Sequence, residues 1–177
     1  MKGFLDIETG GFSITKNGVC EIALLAVDDS FKIVDTFHKY IKPYTREESD
    51  ELVYYHPDAM NINGLSPEYL NKVGEDVGYV MIQLSYFIIK HNITEIIGHN
   101  SNQFDVPRID YLFRRFYPNQ FTEIGLKDTL LIAKERLDLP SYKLEHLCLH
   151  FGIRNEQAHS AVSDALATLE LYKKLIA

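Results

Sequence analysis

The chain has 177 residues, of which 46% are hydrophobic and 24% charged, and its formal net charge is −7 at pH 7. This length and composition fit a single domain over residues 1–177 with a substantial hydrophobic core. The negative charge argues against a protein that covers a long stretch of duplex, because neutralising many phosphates requires a broad surface of lysine and arginine. A short contact with nucleic acid remains compatible with it.

Membrane association and secretion are not predicted. Apolar runs fall short of the roughly 18 residues that a membrane-spanning helix needs, and the first predicted strand begins within a few residues of Met1. We therefore expect a soluble cytoplasmic protein. The two cysteines, Cys20 and Cys148, each lie in an apolar segment and are predicted to be reduced core residues.

The first informative stretch is an apolar run that ends in two carboxylates and two glycines, GFLDIETGG over residues 3–11. On a strand, Asp6 and Glu8 project to the same face, roughly 7 Å apart along the backbone, and two such carboxylates are able to hold a cation. Gly10 and Gly11 permit a sharp turn just beyond the acids. A strand that ends in a solvated acidic turn is the alternative interpretation.

The chain continues with elements of both kinds. Residues 19–27 and 33–41 are predicted to be strands that form an antiparallel meander with the first. Residues 42–65 are interpreted as a long irregular connection, and such loops in compact domains are often functional. Ser66-Pro67 is typical of a helix start, and the spacing of apolar residues between Val77 and Ile88 predicts a second helix.

The second half alternates strands and helices. We predict a short buried strand, a helix opened by Pro107, a weak strand and three further helices, over residues 95–98, 107–116, 125–127, 130–137, 140–151 and 158–176, respectively. Arg108, Arg114 and Arg115 are interpreted as a solvated helix face. The element order predicts an α/β fold with a five-stranded mixed sheet, flanked by helices, in which the first strand is central.

The second informative stretch is HSAVSD, which contains His159 and Asp164. Within one regular helix, five residues separate these side chains by about 140° around the axis. The pair therefore shares a site only if His159 precedes the helix or lies at its start. The alternative is that Asp164 stabilises the helix N-terminus and that His159 is an ordinary surface residue.

Taken together, these residues resemble the DEDDh family of 3′-to-5′ exonucleases, whose best-known member is the proofreading subunit of a bacterial replicative polymerase. Residues 6–9, 98–105 and 158–165 are similar to the three motifs of that family, so the resemblance covers nearly the whole chain. Gly10 departs from the pattern, because the family commonly has threonine there.

The resemblance implies a ribonuclease H-like fold and two-metal hydrolysis of phosphodiester bonds. It implies Asp6, Glu8, Asp105 and Asp164 as ligands of two metal ions per active site, with His159 as the general base. Four carboxylates without a nearby cysteine also form, on chemical grounds, a hard oxygen site suited to Mg²⁺ or Mn²⁺. A histidine suits removal of a proton from water because its pKa is near neutrality.

The resemblance also implies contacts with the substrate. Thr9 and the backbone that follows it, including Gly10, would hold the 3′ terminus, Phe12 would wedge or stack on the terminal base, and Asn100 would contact the penultimate nucleotide. Each residue has a plainer interpretation. Thr9 and Asn100 serve turns in that case, and Phe12 belongs to the core.

The leading hypothesis is a metal-dependent 3′-to-5′ exonuclease that releases nucleoside 5′-monophosphates from single-stranded DNA or frayed 3′ ends, with a polymerase or repair protein as candidate partner. An RNA exonuclease or oligoribonuclease would use the same chemistry and differ in contacts to the 2′-hydroxyl. A catalytically silent binding module is the third hypothesis, which loss of one carboxylate would favour. All four carboxylates and His159 are present.

Overall fold

The computed structural model describes residues 1–47, 49–117 and 124–177. Within these residues the chain forms one five-stranded mixed sheet flanked by seven helices. The strands are β1 (Lys2–Thr9), β2 (Val19–Val27), β3 (Ile33–Tyr40), β4 (Glu95–Gly98) and β5 (Gly125–Asp128). The helices are α1 (Pro57–Asn63), α2 (Pro67–Val73), α3 (Val77–Lys90), α4 (Asp105–Phe116), α5 (Thr129–Arg136), α6 (Leu144–Phe151) and α7 (Ala161–Ile176).

Strand β1 lies at the centre of the sheet, whose order is β3-β2-β1-β4-β5. It pairs antiparallel with β2 and parallel with β4, while β2 pairs antiparallel with β3 and β4 parallel with β5. The predicted α/β architecture, with a mixed sheet and a central first strand, is confirmed. Every residue of β2 is buried, which agrees with its nearly continuous apolar sequence.

The two faces of the sheet are covered by different helices. Leu5 and Ile7 belong to the core that α3 and α4 form on one face. Phe4 packs on the other face, against Ala161 and Ala165 of α7. Because strand side chains alternate, the even-numbered residues of β1 face α7. This alternation directs both acids of the first motif toward the helix that carries the third motif.

Helix α7 lies close to the sheet because its contact residues are small. Ala161, Ala165 and Ala167 are all buried, and the first two pack directly on the strands. Helices α5 and α6 pack on the other side of α7 through a cluster of buried leucine and alanine side chains. The acidic face of β1 is therefore enclosed by a helix that is itself fixed from behind.

Several predicted boundaries were wrong. Helix α1 lies inside the connection that was interpreted as irregular; it is seven residues long and none of its residues is buried, so it has no apolar stripe in the sequence. Helix α4 begins at Asp105 rather than Pro107, α6 begins at Leu144 rather than Pro140, and α7 begins at Ala161 rather than Ala158. The start of α2 at Ser66-Pro67 is confirmed, with the serine hydroxyl accepting from Tyr69 N.

Charged and sulfur-bearing side chains also test the sequence interpretation. The solvated position is confirmed for Arg114, whose side chain is 74% exposed, but it is wrong for Arg108, which is 4% exposed. The burial of Arg108 is compatible with its charge because carbonyl oxygens accept from its guanidinium.

Cys20 and Cys148 are free and buried, as predicted. Among the described residues, no helix is long and apolar enough to cross a membrane.

Gly10 is buried, and both of its backbone polar groups are paired: its N–H donates to Gly18 O and its carbonyl accepts from His56 N. A Cβ atom added at this position would lie 2.7 Å from Tyr55 Cδ1 and 2.9 Å from the Tyr54 carbonyl oxygen. An added side chain at this position would therefore clash with Tyr54 and Tyr55. The predicted contact of Gly10 with the substrate remains a prediction.

We expect Gly10→Ala to lower the free energy of unfolding by about 1–3 kcal/mol, because the backbone oxygen of Tyr54 has to shift. Urea denaturation followed by circular dichroism measures this loss. Gly125→Ala is the matched control, since its added Cβ would meet its nearest neighbour at an ordinary 3.5 Å. Equal stability of the two variants would contradict this account of Gly10.

Candidate active site

Strand β1 and helix α4 are tied together between the two acids of the first motif. Asp105, the first residue of α4, is buried, and its Oδ1 accepts a hydrogen bond of 3.0 Å from Ile7 N. Ile7 separates Asp6 from Glu8, which are both half-buried on the α7 side of the strand. The structure therefore brings the first and second motifs into one site at the end of β1.

The third motif completes this cluster. One ring nitrogen of His159 and one carboxylate oxygen each of Glu8 and Asp164 lie within 4.8 Å of one another. His159 is exposed, precedes α7 by two residues and has a left-handed backbone with φ 68°. Its N–H donates to Asp164 Oδ2 over 3.2 Å, and Asn155 Nδ2 donates to Oδ1 of the same carboxylate over 2.5 Å. The pair shares the site because His159 lies outside the helix.

Burial, and then repulsion between some of the acids, raises the pKa values of the four carboxylates of the site. Burial raises the pKa of Asp6 well above its usual range, and the negative charges of Asp105, Asp164 and Glu8 raise it further. Burial, and then the charges of Asp164 and Glu21, raise the pKa of Glu8 to about 8. Burial raises the pKa of Asp105 to about 7 and also raises that of Asp164. Such a cluster of oxygen ligands, with its uncompensated negative charge, fits a divalent cation.

Glu21 is a fifth carboxylate that the sequence interpretation did not assign to the site. It lies opposite Glu8 in the β1–β2 register and is 2% exposed. Its Oε2 accepts from Ala161 N over 3.2 Å, and its Oε1 lies 2.6 Å from His38 Nε2. Glu21 thus anchors the first residue of α7 to the sheet. Its sequence signal was a single acid within an otherwise apolar strand.

Two carboxamide side chains were missed as well, and no periodic pattern marks them. Asn63 Nδ2 donates to the carbonyl of Thr9 over 3.2 Å, and a hydrogen bond from Asn63 partly offsets the rise in the pKa of Glu8. Asn155 binds Asp164 as described above and accepts from Ser163 Oγ over 2.7 Å. Both residues supply polar contacts beside acids that burial would otherwise leave poorly solvated.

Asp128, the last residue of β5, fixes the loop of the second motif by accepting two backbone hydrogen bonds from it. This buried carboxylate accepts from Asn100 N over 2.8 Å and from Asn102 N over 3.1 Å. The His99 ring lies 2.9 Å from Thr129 Oγ1 through Nδ1, and burial lowers its pKa. Asn100 itself is exposed with φ 59°. Its backbone serves the loop, and its predicted contact with the penultimate nucleotide remains a prediction.

A cavity of about 830 Å³ opens beside Glu8 and is lined by Thr9, Phe12, Phe104 and neighbouring residues. Phe12 is 89% exposed, so its alternative interpretation as a core residue is wrong. Its ring meets that of Phe104 edge to face, with centroids 6.3 Å apart. Thr9 does serve a turn, because its hydroxyl donates to Gly11 O over 2.9 Å. The site thus combines an acidic cluster with an aromatic surface.

The RNase_T family model, described as "Exonuclease", matches residues 4–172. The chain belongs to this exonuclease family. It is 27% identical over 176 residues to DNA polymerase III PolC-type of Thermotoga petrophila, covering 97% of this chain and 12% of the relative. It is 24% identical over 178 residues to DNA polymerase III subunit epsilon of Aquifex aeolicus (97% and 78%). It is 26% identical over 191 residues to exodeoxyribonuclease I of Escherichia coli K12 (96% and 38%).

Solved structures of exonuclease I share the fold. The complex of the E. coli enzyme with a dT13 oligonucleotide matches with a TM-score of 0.80 and 24% identity, over 98% of this chain and 40% of that chain. A product-bound structure of exonuclease I matches with a TM-score of 0.78 and 25% identity, over 99% and 42%. The chain therefore spans only part of most of these relatives. The predicted ribonuclease H-like fold and the predicted membership of an exonuclease family are confirmed.

Because the pKa values of these carboxylates are raised, we expect the stability of the fold to depend on pH and on bound metal. Because the pKa values of Glu8 (about 8) and Asp105 (about 7) exceed their usual values near 4, the folded chain binds more protons than the unfolded chain between these limits. Their contribution is complete below about pH 4 and is lost as pH rises through 7 to 8. We expect the melting temperature in EDTA to fall between about pH 5.5 and 8.5, and Mg²⁺ to restore most of the loss at the higher pH.

Differential scanning fluorimetry at fixed ionic strength measures both effects. The double variant Glu8→Gln, Asp105→Asn is the control, since it removes two of the four perturbed carboxylates and should reduce the pH dependence. A wild-type melting temperature that does not change with pH, or that Mg²⁺ leaves unchanged at high pH, would contradict the electrostatic description of the site.

Proposed function

We propose that this exonuclease domain, residues 1–177, removes nucleoside 5′-monophosphates from the 3′ ends of single-stranded DNA or frayed duplexes by a two-metal mechanism. The observation that carries the proposal is the convergence of Glu8, His159 and Asp164 within 4.8 Å beside the aromatic cavity. The preference for single-stranded DNA is supported by exonuclease I of E. coli, which is seen in complex with dT13. RNA remains the competing substrate.

Asp6, Glu8, Asp105 and Asp164 would hold two Mg²⁺ or Mn²⁺ ions. The hard oxygen ligands and the raised pKa values of these acids support this choice of metals. A zinc-bound form of the E. coli exonuclease I complex with single-stranded DNA shows that a similar fold takes a divalent cation. When bound, the cations polarise the scissile phosphate and stabilise the entering and leaving oxygens.

His159 would accept the proton of the attacking water. Its ring lies at the exposed side of the site yet close to Glu8 and Asp164, so a proton taken up there passes readily to solvent. The hydrogen bond from its backbone N–H to Asp164 fixes the left-handed turn that presents the ring. Asp164 therefore serves two purposes in this proposal, as a metal ligand and as the anchor of the base.

The 3′-terminal nucleotide would occupy the cavity beside Glu8. Thr9 lies at its acidic end, and Phe12 offers an exposed ring on which a base stacks irrespective of sequence. Lys16 and Arg46 also line the cavity, and the charge of Arg46 is paired with Glu51 over 2.6 Å. This arrangement fits a short single-stranded footprint rather than a long duplex contact.

A DNA polymerase or a repair protein in the cytoplasm is the proposed partner. Two of the relatives, PolC and the epsilon subunit, are components named for DNA polymerase III, and this chain aligns with 12% and 78% of their lengths, respectively. A partner would supply the extended grip on DNA that the acidic surface of the chain does not provide.

Cleavage of matched 5′-labelled DNA and RNA single strands tests the substrate and the chemistry. With Mg²⁺ or Mn²⁺ we expect a ladder that shortens from the 3′ end, faster on DNA, and abolished by EDTA and by Asp6→Ala. Faster cleavage of RNA would make the RNA exonuclease hypothesis correct. Absence of cleavage on both polymers, together with intact metal binding, would favour the binding module.

His159→Ala tests the proposed base. We expect kcat to fall about 10²- to 10⁴-fold, while the Mg²⁺ concentration that gives half-maximal thermal stabilisation changes less than about threefold. His146→Ala is the control, because His146 is an exposed histidine on α6. Full activity of His159→Ala would exclude the residue as the base, and loss of metal binding would make it a ligand instead.

A further inference from the structure

Arg108 is a buried arginine with three contacts that all lead toward the aromatic surface of the cavity. Its Nη1 donates to the carbonyl of Phe104 over 2.7 Å, and its Nη2 donates to the carbonyl of Phe12 over 2.5 Å. Its guanidinium carbon lies 3.7 Å from the centroid of the Phe104 ring. Arg108 therefore connects α4 to the turn that follows β1, across 96 residues of sequence.

These contacts link the Arg108 guanidinium, the Phe104 ring and the Phe12 ring in that order. The guanidinium covers one side of the Phe104 ring, and the Phe104 ring meets the Phe12 ring edge to face. The Phe12 side chain is 89% exposed, so little packing fixes it in place. Its position is set by its own backbone and by Phe104, and Arg108 holds both.

We propose that Arg108 is a positioning residue for the substrate: it fixes Phe12 and Phe104 at the mouth of the cavity so that the 3′-terminal base stacks on a preformed aromatic surface. The proposal rests on the proposed function, because Phe12, Phe104 and Glu8 line the same cavity. Pre-ordering the ring reduces the side-chain entropy that is lost when a nucleotide binds, so Arg108 acts on substrate affinity.

The geometry also offers a competing role. Arg108 follows Asp105 by one turn of α4, and its charge acts on that carboxylate. A residue that only supports Asp105 would alter the metal requirement and kcat. A residue that positions Phe12 alters KM and the stacking of the terminal base. These two roles therefore separate in kinetic measurements.

The test uses Arg108→Met, which keeps a long side chain but removes both hydrogen bonds. Its matched control is Arg114→Met on the same helix, where the side chain is 74% exposed and pairs with Asp110. Steady-state cleavage of a single-stranded oligonucleotide should show KM raised about tenfold for Arg108→Met, with kcat and the Mg²⁺ midpoint within about threefold of wild type. The control should match wild type.

A spectroscopic measurement reports stacking directly. With Ca²⁺ in place of Mg²⁺, an oligonucleotide that carries 2-aminopurine at its 3′ end should lose fluorescence when it binds wild type, and lose less with Arg108→Met or Phe12→Ala. The double variant Arg108→Met, Phe12→Ala should have a KM no higher than that of the more impaired single variant, because both substitutions act through the Phe12 ring. Phe104→Leu, which removes the intervening ring, should give the same loss of stacking if Arg108→Met does not fold.

Two results would overturn the proposal. One is unchanged KM and unchanged quenching in a folded Arg108→Met protein, or in Phe104→Leu if the former does not fold. The other is a raised Mg²⁺ requirement with normal quenching, which assigns Arg108 to Asp105. A wild type that binds and quenches the oligonucleotide but cleaves nothing would instead contradict the proposed function and leave the positioning measurement valid.

Discussion

The main physical constraint on the structure is that several carboxylates are clustered at one end of the central strand. Burial raises the pKa of Asp6, Glu8, Asp105 and Asp164 there. The negative charge of the buried Glu21 raises those of Asp6, Glu8 and Asp164 further. Each unit by which a pKa is raised corresponds to about 1.4 kcal/mol of differential interaction between the two protonation states. The fold therefore has to hold the acids in place against a force that favours their separation.

Backbone donors supply much of that restraint. Ile7 N binds Asp105, Ala161 N binds Glu21 and His159 N binds Asp164. The first two of these bonds join segments that are distant in sequence, and the third closes the turn that precedes α7. A hydrogen bond from a backbone N–H group to a carboxylate is strong. The contacts that stabilise the charged carboxylates therefore also fix the geometry of the site. Stability and arrangement are coupled at these positions.

The topology explains why distant motifs meet. Strands β1, β4 and β5 run parallel, so their carboxyl ends lie at one edge of the sheet. Asp6 and Glu8 lie near the end of β1, α4 begins with Asp105 soon after β4, and Asp128 ends β5. Helix α7 packs on the face of the sheet to which Asp6 and Glu8 project, with small residues against the strands. A site at the carboxyl ends of strands follows from chain direction before any chemistry is considered.

The sequence predicts those features that obey a period and misses those that depend on a single contact. Alternation placed Asp6 and Glu8 on one face, and helical geometry required His159 to precede α7. Helix α1 has no buried face, and so gave no pattern. Arg108 was misread because helix charges are usually solvated, and its acceptors are backbone carbonyls, which every residue carries. No feature of the local sequence identifies the carbonyl groups of Phe12 and Phe104 as the two that accept from Arg108.

The division between acidic cluster and aromatic cavity indicates how a polyanion approaches an acidic protein. Direct attraction is weak in a chain of net charge −7, and the carboxylates would repel a phosphate unless cations neutralise them. Metal and substrate should therefore bind as a linked pair in the proposed reaction. In the proposed reaction, the exposed Phe12 would contribute affinity that needs no charge, because stacking acts on the base rather than on the backbone. The support that we propose for that ring, through the hydrogen bond from the buried Arg108 to the Phe12 carbonyl, addresses the same electrostatic problem, because a preformed aromatic surface would bind the base where net charge does not attract the phosphate.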